Sequence, residues 1–228
     1  MDALSQLVDA FAHEDVEEAS ALAAALRPES HRKLDPLIEE LQGHVDGAAE
    51  GVREPLGEIL KRLKKLVQIK QSVLKDELLP RIRSQGKRYR KFREVLAKRA
   101  SPGDRVVSIT SDGRETENVA KPGDWHVRNT TGAGEEYLIG KDKFAERYRH
   151  IEDVEDGWAR YQPVGEVFAV EVDDGVLELL GRSGTFYIEA PWGESQKVSK
   201  ADELATPPAF DEVYRIARKE FGDTYKRV

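Results

Sequence analysis

Hydrophobic spacing changes character once along the chain, at Ser101-Pro102-Gly103-Asp104, and that change limits the fold more than any single motif. Before it, apolar residues recur at helical spacing. Leu4, Leu7, Val8 and Phe11 share one face, and Val16, Ala19, Leu22, Ala23 and Leu26 repeat the pattern. After it come short β-branched runs punctuated by Gly and Pro, beginning with Val106-Val107-Ser108-Ile109-Thr110. All three Trp lie beyond this point. The expected architecture is therefore α + (α+β). A helical bundle over residues 1–100 is followed by an α+β domain with an antiparallel sheet over 101–228, with roughly six to eight strands by ordinary strand lengths.

Within the first hundred residues, His13-Glu14-Asp15 reads as a turn or a helix continuation, and Pro28 ends the second helix. Asp35-Pro36 reads as a cap with Pro at the first helical position, opening a helix through Leu37, Ile38, Leu41 and Val45. Pro55 is expected to open the longest helix, reaching about Leu79, with rows Leu56/Leu63, Ile59/Leu66/Val73 and Leu60/Val67/Leu74. Three adjacent rows suit a helix inside a bundle. Pro80 breaks or kinks it, and a last helix carrying Ile82, Tyr89, Phe92, Val95 and Leu96 is expected to run to about Arg99.

The second half reads as duplicated, with copies over about 105–150 and 165–225. Tyr137, Phe144 and Tyr148 have the same spacing as Tyr214, Phe221 and Tyr225, and Lys121 to Asp124 matches Ser199 to Asp202. Ile109 to Gly113 likewise matches Ile188 to Gly193. The implied unit is a hairpin, a strand and a short amphipathic helix whose Phe and final Tyr pack back on the sheet. Each copy is too small to bury much core alone, so the two would share one. Strands are expected at Val164 to Val172 and at Gly184 to Ala190.

Residues 121–148 resemble the small PGDYG domain, named for its Pro-Gly-Asp-Tyr-Gly segment. The resemblance rests on Pro122, Gly123, Asp124 and Trp125, then Thr131-Gly132, Glu136-Tyr137 and Phe144 to Tyr148. Here Trp125 replaces the Tyr and His126 the Gly. The resemblance implies a fold neighbourhood and no chemistry, because the family has no assigned activity.

Several function classes are excluded or weakened. The absence of cysteine removes disulfides, thiolate metal sites and cysteine nucleophiles. No apolar run approaches the ~20 residues that span a bilayer, and the opening Met1-Asp2-Ala3 leads into an acidic segment. The expectation is a cytoplasmic protein without membrane contact. No Gly-x-Ser-x-Gly elbow occurs. Gly140-Lys141 is followed by Asp142 rather than Ser or Thr, and Gly132-Ala133-Gly134 reads as a turn. His13/Glu17, Glu40/His44 and Glu146/His150 have helical i, i+4 spacing but read as solvated faces, so no metal is expected.

Two constellations carry functional expectations. Residues 61–100 hold 15 Lys/Arg against 3 acids, between two acidic flanks. On a helix, Arg88, Arg90, Lys91 and Arg93 could follow a phosphate backbone, or pair with the chain's own acids. Trp125 and Trp192 sit in turns and are expected to wall one cleft between the copies, with Asp124, Arg128 and Glu194 as its polar contacts. The expected function is non-catalytic: a small ligand or peptide bound or sensed by the α+β domain, and a protein partner or second copy met by the helices. A nucleic-acid accessory protein and an enzyme with a carboxylate-based site are the alternatives.

Overall fold

The computed structural model describes residues 2–26, 31–110, 113–130 and 134–228, with side chains except at 31, 32 and 108–117. The turn readings at Pro28, Ser111-Asp112 and Thr131 to Ala133 lie outside the described residues. The chain is a mixed helix and antiparallel-sheet protein. No helix among the described residues is long and apolar enough to cross a membrane.

The helical part comprises α1 (Ala3–Ala12), α2 (Val16–Ala25), α3 (His31–Leu34), α4 (Ile38–Gly47) and α5 (Glu50–Val67). Asp2 caps α1, its carboxylate accepting from the Ser5 N–H at 2.9 Å, and Asp15 caps α2 through Glu18 N–H at 2.9 Å. Glu14 takes a positive φ of 58°, so residues 13–15 form a turn. Leu7, Phe11, Leu34, Ile38, Leu41, Leu56 and Leu63 are fully buried in one core that also takes in Tyr187 from the β-rich half.

Asp35 is not a cap. It lies buried in a 3-10 turn (Asp35–Leu37), and Arg182 Nη1 donates to it at 2.6 Å. The long helix is also shorter than its spacing predicts. Pro55 lies inside α5, where it forgoes one bond, and the helix stops at Val67. The chain then turns extended so that Ile69 N–H bonds Tyr187 C=O at 2.8 Å and Glu189 N–H bonds Ile69 C=O at 2.9 Å. Tertiary backbone pairing thus interrupts a sequence that is helical by spacing alone. Beyond it come α6 (Gln71–Val73), a π-helical turn (Leu74–Leu78) and α7 (Leu79–Gln85). Pro80 stands at the start of α7, directly after the π turn, whose last bond runs from Leu79 N–H to Leu74 C=O.

The expected helix to Arg99 is corrected. After Gly86 the chain forms strands β1 (Lys87–Lys91) and β2 (Val95–Arg99). Further strands are β3 (Arg105–Thr110), β4 (Gly113–Val119), β5 (Trp125–Asn129), β6 (Glu136–Ile139), β7 (Tyr148–Asp153), β8 (Ala159–Pro163) and β9 (Glu166–Glu171). The last are β10 (Phe186–Glu189), β11 (Ser195–Val198), β12 (Glu203–Thr206), β13 (Tyr214–Ile216) and β14 (Tyr225–Arg227). Helices α8 (Lys141–Arg147), α9 (Asp174–Leu179) and α10 (Arg218–Thr224) complete the chain.

Ten of these strands make two five-stranded antiparallel sheets, ordered β6-β5-β2-β8-β7 and β13-β12-β9-β1-β14. Position by position the orders correspond. In each sheet a central strand (β2 or β9) pairs with the strand after an Asp turn (β5 or β12), and a short helix (α8 or α10) links the two outer strands. The fourth strand is β8 in the first sheet and β1 in the second. β1 pairs with β9, Tyr89 facing Val167, while β8 pairs with β2, Tyr161 facing Val95. Packing around the helices follows suit. Phe144 lies 4.9 Å from Tyr148 and edge-on to Tyr161, and Phe221 lies 5.1 Å from Tyr225 and edge-on to Tyr89. Val164 N–H bonds Arg147 C=O, and Phe92 N–H bonds Thr224 C=O, both at 2.9 Å.

The outer face of the second sheet is covered. Phe168, Val170 and Leu204 pack with Leu79 and Ile82 of α7 and Val176 and Leu177 of α9. The matching face of the first sheet carries Lys98, His126, Arg128 and Trp158 instead.

One inward position differs in chemistry. Trp125 opens β5 and stacks on Phe144 at 4.0 Å, whereas Glu203 opens β12, directly across from Glu171. Burial, then the facing Glu171, pushes the Glu203 carboxyl up to about 7. A folded-state value above the unfolded one means the folded protein binds the proton more tightly. This stability is therefore fully present below about pH 4.5 and is lost as pH rises toward 7. We expect Glu203→Gln to raise stability by about 1–2 kcal/mol at pH 8, after allowing for solvent screening, and to leave it nearly unchanged at pH 4.5. Urea denaturation at the two pH values checks this.

Candidate functional site

Elements of both sheets border one cavity of about 620 Å³. The outer strands β6 and β13, helices α8 and α10, and the starts of β7 and β14 supply part of its wall. Four tyrosines converge there: Tyr137 on β6, Tyr148 opening β7, Tyr214 on β13 and Tyr225 opening β14. Strand alternation turns Tyr137 and Tyr214 inward, opposite Val127 and Ala205 respectively. Tyr148 and Tyr225 sit at C-caps, where the extended backbone following each helix points the ring back under it.

The Tyr137 and Tyr148 hydroxyls share a hydrogen bond of 2.6 Å. Burial pushes the phenols of Tyr137, Tyr214 and Tyr225 up, Tyr214 to about 12, and the positive charge of Arg147 only partly offsets this. All three stay protonated at neutral pH and keep a proton to donate. Arg147, at the end of α8, donates from Nη2 to Glu212 Oε1 at 3.1 Å, and Lys143 Nζ donates to Glu212 Oε2 at 3.1 Å. Lys91 Nζ lies 5.7 Å over the Tyr137 ring and donates to Asn129 Oδ1 at 3.0 Å.

The expected ligand contacts are only partly gathered here. Asp124 and Trp192 border the cavity; Trp125, Arg128 and Glu194 do not. Asp124 chiefly holds its turn, its carboxylate accepting the Lys121 N–H at 2.8 Å. Asp104 does the same for Ser101 at 2.9 Å and Asp202 for Ser199 at 2.8 Å, so the feature is local turn chemistry. Trp192, 53% exposed, stands in the β10–β11 turn, where Gly193 takes φ 91°. Glu194 gives its backbone carbonyl to Ala190 N–H at 2.7 Å.

The expected pairing of the two indoles about one cleft is corrected. Trp125 lies against Phe144 and Tyr161 beneath the Arg99 guanidinium, beside a separate shallow recess. Its positional counterpart is Glu203, not Trp192, so the two Trp do not occupy matching turns. Arg128 lies on the outer face of the first sheet, 4.5 Å over Trp158, and donates to Glu136 Oε1 at 2.6 Å. Burial opposes the Glu136 charge, but the bonds from Arg128 and His126 outweigh it and hold the carboxyl below its ordinary range.

The basic residues proposed for phosphate contact do not form a helical stripe, because they lie on and just after β1. Arg88 and Arg90 both clasp Glu166, Arg88 Nε at 2.6 Å and Arg90 Nε at 3.1 Å. Lys91 turns toward the cavity, and Arg93 Nε donates to Asp223 C=O at 2.7 Å. Two of the three histidine pairs also dissolve: His13 caps α1 while Glu17 belongs to α2, and His150 is in β7 beyond the helix holding Glu146, whereas Glu40 and His44 stand one turn apart on α4. Among the described residues no three His, Asp or Glu side chains converge to hold a metal ion.

Sequence reasoning missed Arg147, Glu212 and the tyrosine hydroxyls. The signal was present in the repeated spacing, where the helix ends with Tyr rather than Phe in both places. A core position needs no hydroxyl, whereas a cavity wall can use one. Comparison with known proteins finds no family model, no curated protein and no solved structure that matches this chain.

Proposed function

We propose that this chain is a non-catalytic binding protein whose cavity between the two sheets takes a small ligand. The cavity itself carries the reading. Its volume of about 620 Å³ falls within the ~300–1,000 Å³ usual for small-molecule sites, and it combines apolar surface with many polar and charged side chains. Residues 87–153 and 159–227 are two copies of one unit that exchange their first strands, and the ligand sits where the copies meet. Matching strand orders, matching aromatic pairs and the reciprocal bonds at Arg147 and Thr224 support this. The helical region is the part that meets a protein partner, with Leu66 and Val73 as exposed apolar contacts.

A thermal-shift screen of the full chain against nucleotides and metabolites tests the reading, since a ligand that binds only the folded form raises the midpoint. At least one compound is expected to raise it by several degrees, and Ile216→Trp, which fills the cavity from β13, is expected to abolish that shift. A screen with no such compound, or a shift unchanged in Ile216→Trp, removes the proposal.

A further inference from the structure

What the cavity presents to a ligand is hydrogen-bond donors rather than aromatic faces. The Tyr148 ring lies against Phe144 with an interplanar angle of 24°, and the Tyr225 ring against Phe221 at 14°. The Tyr137 face is taken by the Lys91 ammonium. A cation held in an aromatic cage needs free faces, and three of these four rings have one already engaged. The hydroxyls are differently placed. Tyr137 and Tyr148 bond each other, which leaves one of their two protons to donate. Tyr214 and Tyr225 have no hydrogen-bond partner among the described residues, and neither hydroxyl is sealed from the cavity.

The wall as a whole carries as many acidic as basic side chains, so any excess of positive charge is local to one cluster. Arg147 and Lys143 both bond Glu212, which engages both oxygens of that carboxylate and leaves the trio with one positive charge in excess. Of the other acids of the wall, Glu135 Oε2 accepts from Asn129 Nδ2 at 3.1 Å, and Glu166 is clasped by Arg88 and Arg90. Ile139, Ile216 and Val167 supply an apolar surface beside the donors.

Resting on the reading of the cavity as a ligand site, the geometry points to an amphipathic anion as its occupant: a carboxylate or phosphate monoester on a flat apolar body, the acid held by Arg147 and the hydroxyls of Tyr214 and Tyr225. Arg147 supplies a planar, permanently charged fork suited to either acid. The phenols supply neutral donors that cost no charge desolvation of their own.

Three probes of similar size separate the possibilities on the full chain: benzoate, phenyl phosphate and benzyltrimethylammonium, each titrated to about 20 mM and followed by amide and Arg side-chain NMR shifts. At least one anion is expected to bind saturably while the cation does not, and preference between the anions distinguishes carboxylate from phosphate. Arg147→Gln is expected to weaken anion binding about tenfold or more, and Tyr225→Phe, which keeps the ring stack, about three- to tenfold. Binding of the cation alone overturns the anion assignment and leaves the cavity reading standing. Anion binding unchanged in both variants places the anion elsewhere and also overturns it. If none of the three binds, the anion assignment and the cavity reading both fall.

Discussion

Replacing Arg215 with Met is expected to destabilise the protein by about 3–5 kcal/mol, because it strands a carboxylate in the interior. Arg215 and Asp202 are almost wholly enclosed, with side-chain exposures of 3% and 5%, and Arg215 Nε donates to Asp202 Oδ2 at 2.9 Å. The same carboxylate accepts Ser199 N–H at 2.8 Å and Arg218 N–H at 3.1 Å, so it closes the turn before β12 and anchors the first residue of α10. Without the guanidinium, these two backbone donors are left to hold a full negative charge away from water. The double variant Asp202→Asn/Arg215→Met removes both charges and should recover much of the loss, since an apolar replacement of a whole buried pair is often close to neutral. Urea denaturation of the parent, both single variants and the double variant gives the coupling directly. A loss under about 1 kcal/mol in Arg215→Met would show that water reaches the pair.

Phe144→Ala is expected to cost about 4–5 kcal/mol and Phe221→Ala about 1 kcal/mol less, although both rings are buried at matching places in the two sheets. Each ring packs on the tyrosine that follows its helix and edge-on to a tyrosine of the fourth strand of its sheet, Tyr161 or Tyr89. Phe144 has a third partner, the indole of Trp125 stacked 4.0 Å away at an interplanar angle of 9°. An aromatic pair contributes about 0.5–1.5 kcal/mol beyond buried area, which sets the difference between the variants. At Phe221 the corresponding place is held by Glu203, which offers no ring. Trp fluorescence supplies an independent readout: Phe144→Ala should shift Trp125 emission to the red in the folded state, and Phe221→Ala should not. Equal losses in stability would mean that the stack adds nothing beyond the area it covers.

Local periodicity made α1, α2 and α4 legible, because each buries one stripe against its neighbours. The aromatic spacing shared by residues 137–148 and 214–225 was legible for a similar reason: the strand, helix and following residue are contiguous, so their geometry is local. β1 and β2 were not. Tyr89, Phe92, Val95 and Leu96 satisfy helical spacing, yet Lys87 to Lys91 also alternates, with Tyr89 inward and Arg88 and Arg90 outward. What decides between the two is β9, whose Val167 faces Tyr89 from 78 positions along the chain. The end of α5 was hidden by the same kind of distant partner, the backbone of Tyr187 and Glu189. At the site, Trp125 and Trp192 drew attention as rare residues in turns. The groups that converge are commoner ones, Arg147, Glu212 and four tyrosine hydroxyls, and no short-range pattern announces where two sheets will leave a space between them.

The pairing of β1 with β9 and β14 sets a timetable for making the protein. During translation β1 leaves the ribosome well before its neighbours β9 and β14, the latter following roughly ten to thirty seconds later at ordinary elongation rates. Until then the strand must wait without its sheet, and β2 must wait for β8. The first sheet draws only on residues 95–163 and can close first, whereas the second cannot close until β14 is made. Co-expressed fragments severed between Asp153 and Ala159 should therefore find each other and reassemble, while either fragment made alone should be degraded.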